Sequence, residues 1–502
     1  MSHEDLSYEP RQGSRHLTHR DADWSGLRIL VAGLGVSGFA AADALSERGA
    51  VVTAVSADAT SAIGERARIL EILDVEVRLG PEHLVDLPEG IELVVTSPGF
   101  HPHHPLLVTA AARGIPVWGE VELAWRMRAQ SGAAPWITIT GTNGKTTTVK
   151  MLASILQAAG LRATSAGNVG TPLLEAVLHP DPYDVLAVEL SSFQLHWQRS
   201  VTPVASACLN LAPDHIDWHG SFEQYRLAKA KVYAGTQIAC VYNVQDPATE
   251  AMVMDADVAE GCRAIGFTLG IPALSMVGLV DDVLADRAFV EQRRTSAAEL
   301  ATVADLQGDA PSVAPHYVAN ALAAAALARA YGVGPLSVRD GLRAFVPDPH
   351  RIADVATVDG VRFIDDSKAT NPHAAAASLA AFEHVVWIAG GLLKGADVDS
   401  LVQSVGSRLR GVVLIGAERE LIAQALARHA PDVPVVDVPT TDTGVMDVVV
   451  ARASELALPG DVVLLAPAAA SFDMFASYGA RGDAFAQAVH RYASRPDGSS
   501  AS

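Results

Sequence analysis

Three times along this chain a short apolar, β-branched run gives way to glycines or small polar residues and then to a segment of helical period. Leu27 to Ala32 (LRILVA) reads as a buried strand, followed by Gly33-Leu34-Gly35-Val36-Ser37-Gly38 and the helical AADALSERG. Ala50 to Val55, and Leu93 to Thr96 before Ser97-Pro98-Gly99, continue that sheet. Ile137 to Thr148 (ITITGTNGKTTT) repeats the order: strand, tight glycine turn, then a lysine opening a helix. Asp184 to Leu190 and Ala205 to Leu211 read as further strands, and Gly220 to Tyr233, Pro315 to Tyr331 and Val333 to Phe345 as helices. A third alternation follows with strands at Arg362 to Asp366, Val385 to Ala389, Gly411 to Gly416 and Asp461 to Pro467. Strands alternating with helices in this way predict parallel sheets covered on both faces. Ala251 to Leu306 is the least legible stretch, with a hairpin or meander expected over Val277 to Val290.

The expected fold is α/β with three domains: a Rossmann-like N-terminal domain over 24–128, a central P-loop ATPase-like domain over 129–346, and a C-terminal Rossmann-like α/β domain over 347–493. Residues 1–23 and 494–502 are polar and read as a disordered arm and tail. The polar QSGAAP from Ala129 and the Val346-to-Arg351 stretch read as linkers.

Composition narrows the partners. The 502 residues are 49% hydrophobic and carry a formal net charge of −20, which argues against nucleic acid or an anionic membrane surface. There is no signal-peptide pattern and no run of about 18 apolar residues, so no membrane span is expected. Ala321 to Ala330 is apolar but short and broken by Arg329, as in a buried helix. Cys208, Cys240 and Cys262 have no metal-finger spacing and suit a reducing cytosol.

The GTNGKT turn is what a triphosphate needs, the other reading of the bare pattern being an ordinary turn before a helix. Backbone N–H groups of Gly141 to Thr147 would cradle phosphate, the Lys145 ammonium would reach the outer phosphates, and the Thr146 hydroxyl would ligate Mg²⁺. The fit to G-x-x-x-x-G-K-[ST] is imperfect, since Ile139 stands where the first glycine belongs. Glu189, ending a strand, is a natural Mg²⁺ ligand or a salt-bridge partner. Pro213-Asp214-His215-Ile216-Asp217 follows another strand, while Lys229 and Lys231 read on composition alone as solvent-facing. The GxGxxG turn fits either a nucleotide diphosphate or an ordinary α/β turn. Small residues with Lys, Thr or Ser at the strand ends of the third unit suit an anionic substrate.

Taken together, GTNGKTTT, ELSSFQL (189–195), NLAPDHID (210–217), YRLAK (225–229), DPHR (348–351), DDSKATNP (365–372) and GGLLKG (390–395) resemble the Mur ligase family, in family order and over nearly the whole chain. ELSSFQL and DSKATN are similar to the branch that adds D-glutamate. The resemblance implies a cytoplasmic ATP-dependent amide-bond-forming ligase of peptidoglycan precursor synthesis, acting as a monomer on UDP-N-acetylmuramoyl-L-alanine, D-glutamate and ATP through an acyl phosphate, with two Mg²⁺ sites.

Residue by residue, it implies that Lys145 contacts the β- and γ-phosphates among Gly141, Thr142, Asn143, Gly144, Thr146 and Thr147. It places Asn320 near adenine, and Arg351, Asp366 and Lys368 at the nucleotide or reacting phosphate. Thr146 and Glu189 would hold the first Mg²⁺; His215 would serve the second with Lys229, which falls where the family has a carbamylated lysine. Thr370, Lys394, Ser471 and Tyr478 would hold D-glutamate, and Gly35, Val36, Ser37, Gly99, Asn168 and Gln194 the UDP-sugar.

Three positions depart from the family pattern: Ser56, with Asp58 two residues on, where an acidic uracil contact is expected; Tyr317 in place of an asparagine near adenine; and Tyr478 where phenylalanine is common. The same ligase chemistry with L-glutamate or another amino acid, a nicotinamide oxidoreductase built on the GxGxxG turn, and a non-catalytic ATP-binding regulator are the alternatives.

Overall fold

A computed structural model describes residues 17–307, 313–440 and 443–494. They form three sheets in two compact units. The first unit takes the chain up to Leu211, then Glu223–Val313 and Tyr317–Phe345; the second takes Ala212–Phe222, Ala314–His316 and the chain from Val346.

The first sheet holds β1 (Arg28–Ala32), β2 (Val51–Ser56), β3 (Glu76–Leu79), β4 (Leu93–Thr96) and β5 (Val117–Gly119) in the order β3-β2-β1-β4-β5. All four pairings are parallel. Strand order reverses between β1 and β4, which opens a crevice at their C-terminal ends. Of the arm expected to be disordered, residues 1–16 lie outside the described residues. The rest is packed: Leu17 is buried, its carbonyl accepts from Arg126 Nη1 at 3.3 Å, and Arg20 N–H donates to Arg128 O at 3.0 Å. Of the polar tail, Ser494 caps the last helix and 495–502 lie outside the described residues.

The second sheet holds β6 (Trp136–Thr140), β7 (Ala163–Gly167), β8 (Val185–Glu189), β9 (Ala205–Cys208), β10 (Ala239–Asn243), β11 (Arg263–Phe267), β12 (Met276–Val280), β13 (Val283–Asp286) and β14 (Ala298–Thr302). Its order is β14-β13-β12-β11-β10-β9-β6-β8-β7, parallel except for the β12–β13–β14 meander. Every residue of β6 is buried, as expected of a β-branched strand covered on both faces. The helix Lys145–Ala158 leaves β6 and packs against the helix Pro335–Ala344. A Cβ at Gly341 would come 2.3 Å from Ile155 Cα, so only glycine allows that approach. The Ala-rich helix Pro315–Ala330 is buried from Asn320 to Ala328; Arg329, which interrupts its apolar run, donates to the buried Asp286 carboxylate at 2.8 Å. The two sheets share one core across the expected linker at 129, where Trp125 meets Trp136 edge-on with centroids 4.9 Å apart.

The second unit's sheet holds β15 (Ala353–Val358), β16 (Val361–Asp365), β17 (Val385–Gly390), β18 (Leu409–Ile415), β19 (Val435–Asp437) and β20 (Val462–Leu465) in the order β15-β16-β20-β17-β18-β19. Only the β15–β16 pairing is antiparallel. Apolar clusters cover both faces.

Candidate active site

The glycine turn after β6 is flanked by β8 and β9, its two neighbours in the sheet. Gly144 is the N-cap of the Lys145–Ala158 helix at φ +82°, a left-handed conformation that glycine adopts without strain, and a Cβ there would lie 2.4 Å from Asn320 Oδ1. Asn210, at the end of β9, brackets the turn. Its Oδ1 accepts from Asn143 N–H at 2.8 Å, its Nδ2 donates to Asn143 O at 3.1 Å, and its carbonyl accepts from Thr142 N–H at 3.0 Å. Thr142 Oγ1 and the Tyr225 hydroxyl lie 2.9 Å apart. Lys145 Nζ donates to the carbonyls of Gly141 and Thr142, both at 2.9 Å, which holds a cation over the turn. Asn210 and Tyr225 have no phosphate-loop signature of their own; their place in NLAPDHID and YRLAK was the available signal.

The solvent-facing reading of Lys229 is overturned. It is 2% exposed, and its Nζ donates to Gly141 O at 2.8 Å and Thr140 Oγ1 at 3.3 Å, with the Tyr225 ring centroid at 4.9 Å. Two lysines therefore converge on the carbonyl of Gly141. Composition carries only the polarity of the Phe222–Ala230 helix, whereas the fold turns Lys229 under the loop. Lys231 is partly exposed and donates to His196 O at 3.1 Å.

Glu189 ends β8 beside the turn and is 1% exposed. Its Oε1 accepts from Asn168 Nδ2 at 2.8 Å, while its Oε2, buried, has no hydrogen-bond partner among the described residues. A buried carboxylate oxygen left unpaired is costly, and a cation at that oxygen removes the cost. Thr146, buried in the first turn of the helix, supplies a hydroxyl nearby in the fold. No group of three His, Cys, Asp or Glu side chains among the described residues could hold a metal ion. The Glu189 carboxylate and the Thr146 hydroxyl are oxygen donors of the kind Mg²⁺ takes, the rest of its shell coming from phosphate and water.

At the first sheet, Gly35 is the N-cap of the helix Val36–Ser46, and Gly35 and Gly99 are exposed with open space where a Cβ would stand. Ser97 ties the β1 and β4 ends together, its N–H donating to Ala32 O at 2.9 Å and its Oγ to Gly33 O at 3.3 Å. Gly38 allows helix and strand to close up, since its Cβ would lie 1.8 Å from Gly33 O. Gln194 spends its side-chain carbonyl on a capping box with Ser191, leaving its amide NH₂ as the donor. Ser56 is buried at the end of β2 and Asp58 is exposed just beyond it.

In the second unit, the loops after β16, β17 and β20 meet at the C-terminal ends of three adjacent parallel strands. Ala468 N–H donates to Ala369 O at 2.9 Å, and Leu392 and Ala470 exchange both backbone bonds at 2.9 Å. These contacts bring Lys368, Thr370, Lys394 and Ser471 onto one edge. Lys394 is exposed at φ +53°, Ser471 is 3% exposed, and Lys368 Nζ sits 3.8 Å from the Tyr478 ring centroid. Arg481, absent from the sequence-level assignments, is 1% exposed. It joins two of the loops by donating to Ser367 Oγ and O, both at 2.9 Å, and to Ala469 O at 3.1 Å. Asp366 is buried, which pushes its carboxyl up to about 6; the Ser378 hydroxyl and the Arg351 charge work the other way. His215 belongs to this unit, adopts φ +51°, and lies beside Asp214 with Nε2 3.6 Å from Oδ2.

This geometry agrees with the similarity of the chain to known proteins. Residues 27–119 match the Mur ligase MurD-like N-terminal domain, 139–328 the Mur ligase middle domain, and 350–469 the Mur ligase glutamate ligase domain. The chain belongs to the Mur ligase family. Within it, the chain is similar over nearly its whole length to members named UDP-N-acetylmuramoylalanine–D-glutamate ligase. That of Streptomyces avermitilis is 61% identical over 93% of this chain and 98% of its own; that of Leifsonia xyli is 53% identical over 97% of both. The fold is shared with a pseudomurein peptide ligase type C from Methanothermus fervidus (TM-score 0.55, 16% identity, 93% of this chain and 100% of that one). It is also shared with a UDP-N-acetylmuramate–alanine ligase from Thermotoga maritima (TM-score 0.53, 18% identity, 93% and 99%). Among the described residues no helix is long and apolar enough to cross a membrane.

Proposed function

We propose that this Mur ligase joins D-glutamate to UDP-N-acetylmuramoyl-L-alanine at the expense of ATP, in the cytoplasm and as a monomer. The terminal carboxylate of the alanyl substrate attacks the γ-phosphate to give an acyl phosphate and ADP. The amine of D-glutamate then attacks the acyl carbon, and phosphate leaves. Three anions must meet, so the chain's task is positioning and charge neutralisation.

Lys145 and the N–H groups of Gly144 to Thr147 hold the phosphates, on a Gly141–Thr142–Asn143 turn braced by Asn210, with Asn320 beside the loop for the base. Arg351, Asp366 and Lys368 contact the nucleotide or the transferring phosphoryl group. Mg²⁺, when bound, would neutralise phosphate charge; Thr146 and Glu189 would hold one ion, and His215 with Lys229 would serve the other. Lys229 does so as a carbamate, its neutral amine adding CO₂ with loss of a proton. Lys394 pairs with a glutamate carboxylate, helped by Thr370, Ser471 and the backbone near Tyr478. Gly35, Val36, Ser37, Gly99, Asn168 and Gln194 receive the UDP-sugar.

One observation carries this reading: Lys145 and Lys229 converge on the Gly141 carbonyl beside a buried Glu189 whose Oε2 has no hydrogen-bond partner among the described residues. The test is phosphate release from ATP with UDP-N-acetylmuramoyl-L-alanine and a panel of D- and L-amino acids. Release with D-glutamate alone is expected. Release with L-glutamate instead would keep the ATP chemistry and overturn the assignment of the glutamate pocket.

A further inference from the structure

Glu418 has no task in the reaction above, yet its hydrogen bonds lead directly to the lysine assigned to the glutamate carboxylate. It lies just past the end of β18, the strand beside β17, and is the half-buried N-cap of the helix Arg419–His429. Glutamate is not among the residues favoured at an N-cap, and the Glu418 side chain makes no capping bond to its own helix. It reaches instead into the loop after β17, where its Oε2 accepts from Leu393 N–H. The Glu418 N–H donates to Gly391 O in the same loop at 3.2 Å. One residue thus grips the Gly391–Leu393 segment at both ends, as donor at one and acceptor at the other.

The close approach depends on Gly416, at φ +82°, where a Cβ would lie 2.6 Å from Gly391 Cα. The β18 loop is also tied to the loop after β20, since Ala417 N–H donates to Asp473 Oδ2 at 2.7 Å. That loop in turn exchanges backbone bonds with the β17 loop through Ala470 and Leu392, both at 2.9 Å. Three loops are therefore joined pairwise, and Lys394 stands next in the chain after Leu393. Its φ of +53° is a left-handed conformation that a lysine keeps only where its surroundings hold it. Lys394 Nζ lies 5.9 Å from the ring centroid of Phe472, the residue after Ser471.

We propose that Glu418 is a positioning residue for D-glutamate recognition: by fixing the Leu393 N–H it holds the left-handed turn at Lys394, and so sets where the ammonium meets the substrate carboxylate. The inference rests on reading Lys394 as that carboxylate's partner. What Glu418 supplies is an acceptor oxygen at a fixed reach, so an amide of the same length can take its place whereas a methyl group cannot.

The experiment compares the full-length protein with Glu418→Ala, Glu418→Gln, Lys394→Ala and the Glu418→Ala/Lys394→Ala double variant. KM for each of the three substrates is measured by phosphate release, alongside the urea unfolding midpoint. For Glu418→Ala the expected result is about a tenfold rise in KM for D-glutamate, with KM for ATP and for UDP-N-acetylmuramoyl-L-alanine within about twofold of the unaltered protein. Glu418→Gln should recover most of the loss, because its amide oxygen still accepts from the Leu393 N–H. Glu418→Asp, whose shorter arm withdraws the oxygen, takes the place of Glu418→Ala if that variant does not fold, with the same rise expected. The double variant should show no higher KM for D-glutamate than Lys394→Ala alone, since Glu418 acts through the lysine. An unchanged KM for D-glutamate in Glu418→Ala, a Glu418→Gln no better than Glu418→Ala, equal rises in all three KM values, or single losses that multiply in the double variant would each overturn the inference while leaving the reading of Lys394 intact. An unchanged KM for D-glutamate in Lys394→Ala would overturn that reading and this inference with it.

Discussion

Replacing Gly144 by alanine perturbs the phosphate loop in two separable ways. Gly144 stands at φ +82°, ψ −13°, where an L-residue costs about 1–2 kcal/mol. The new Cβ would also lie 2.4 Å from Asn320 Oδ1 and 3.1 Å from its Cγ, well inside the roughly 3.5 Å of ordinary contact. Asn320 sits on a helix buried among alanines, so its side chain rather than its backbone must yield, at about 0.5–1.5 kcal/mol for a displaced rotamer. The summed loss of stability is about 1.5–3.5 kcal/mol. The effect on function is larger in kind, because the N–H groups that open the helix shift relative to the phosphates. Losing one charge-assisted hydrogen bond of about 1.5–3 kcal/mol lowers kcat/KM for ATP by about 10- to 150-fold. Gly160 is the control: it lies beyond the far end of the same helix at φ +80°, with nothing within 4 Å of a Cβ. Gly160→Ala should show the backbone cost in urea unfolding and unaltered ATP kinetics. Phosphate release at varied ATP checks both variants. If kcat/KM for ATP in Gly144→Ala matched that of Gly160→Ala, the loop would not be the phosphate cradle.

Four further outcomes are expected. Lys145→Ala removes the cation held over the turn and should lower kcat in the phosphate-release assay by about 10³ or more, with little change in the unfolding midpoint. Lys229→Ala should be similarly inactive, and about 0.1 M formate or acetate should restore part of the rate if the working group is a carbamate; unchanged inactivity at every carboxylic acid tried would count against carbamylation. Lys394→Ala should raise KM for D-glutamate by about 10- to 150-fold while leaving KM for ATP near its original value, because a charge-assisted contact of about 1.5–3 kcal/mol is lost. Burial raises Asp366 to about 6, above its unfolded range near 3.9. Its contribution is therefore fully present below about pH 4 and is lost as pH rises through about 6, a swing of up to ~3 kcal/mol. Asp366→Asn should accordingly gain stability on the unaltered protein between pH 4 and 7 in urea melts, yet bind ATP more weakly at pH 7.5.

Much of this molecule was legible along the chain, because glycine turns and β-branched runs act locally. The β6 strand, the turn at Gly141 to Gly144 and the helix from Lys145 follow from residue type within a dozen positions, and so do the strands ending at Ala32, Thr96 and Glu189. The meander of β12 to β14 was only half legible: its strands are short, and antiparallel pairing at the rim of a parallel sheet leaves a mixed burial pattern that no single period describes. The ordering of Leu17 to Asp23 was not legible either, since a polar segment can be held by a few long-range contacts such as that of Leu17 O with Arg126.

Local sequence determined which residues could bind phosphate, where strands and helices begin, and, through the combined motifs, which family the chain belongs to. Only the tertiary structure decided that Lys229 turns inward to share the Gly141 carbonyl with Lys145, that Glu189 keeps one buried oxygen without a hydrogen-bond partner among the described residues, and that Arg481 joins loops distant in sequence. The reason is physical. Polarity along a helix reports which side chains could face water, whereas the burial of a charged group depends on hydrogen-bond partners that only long-range packing brings within about 3 Å.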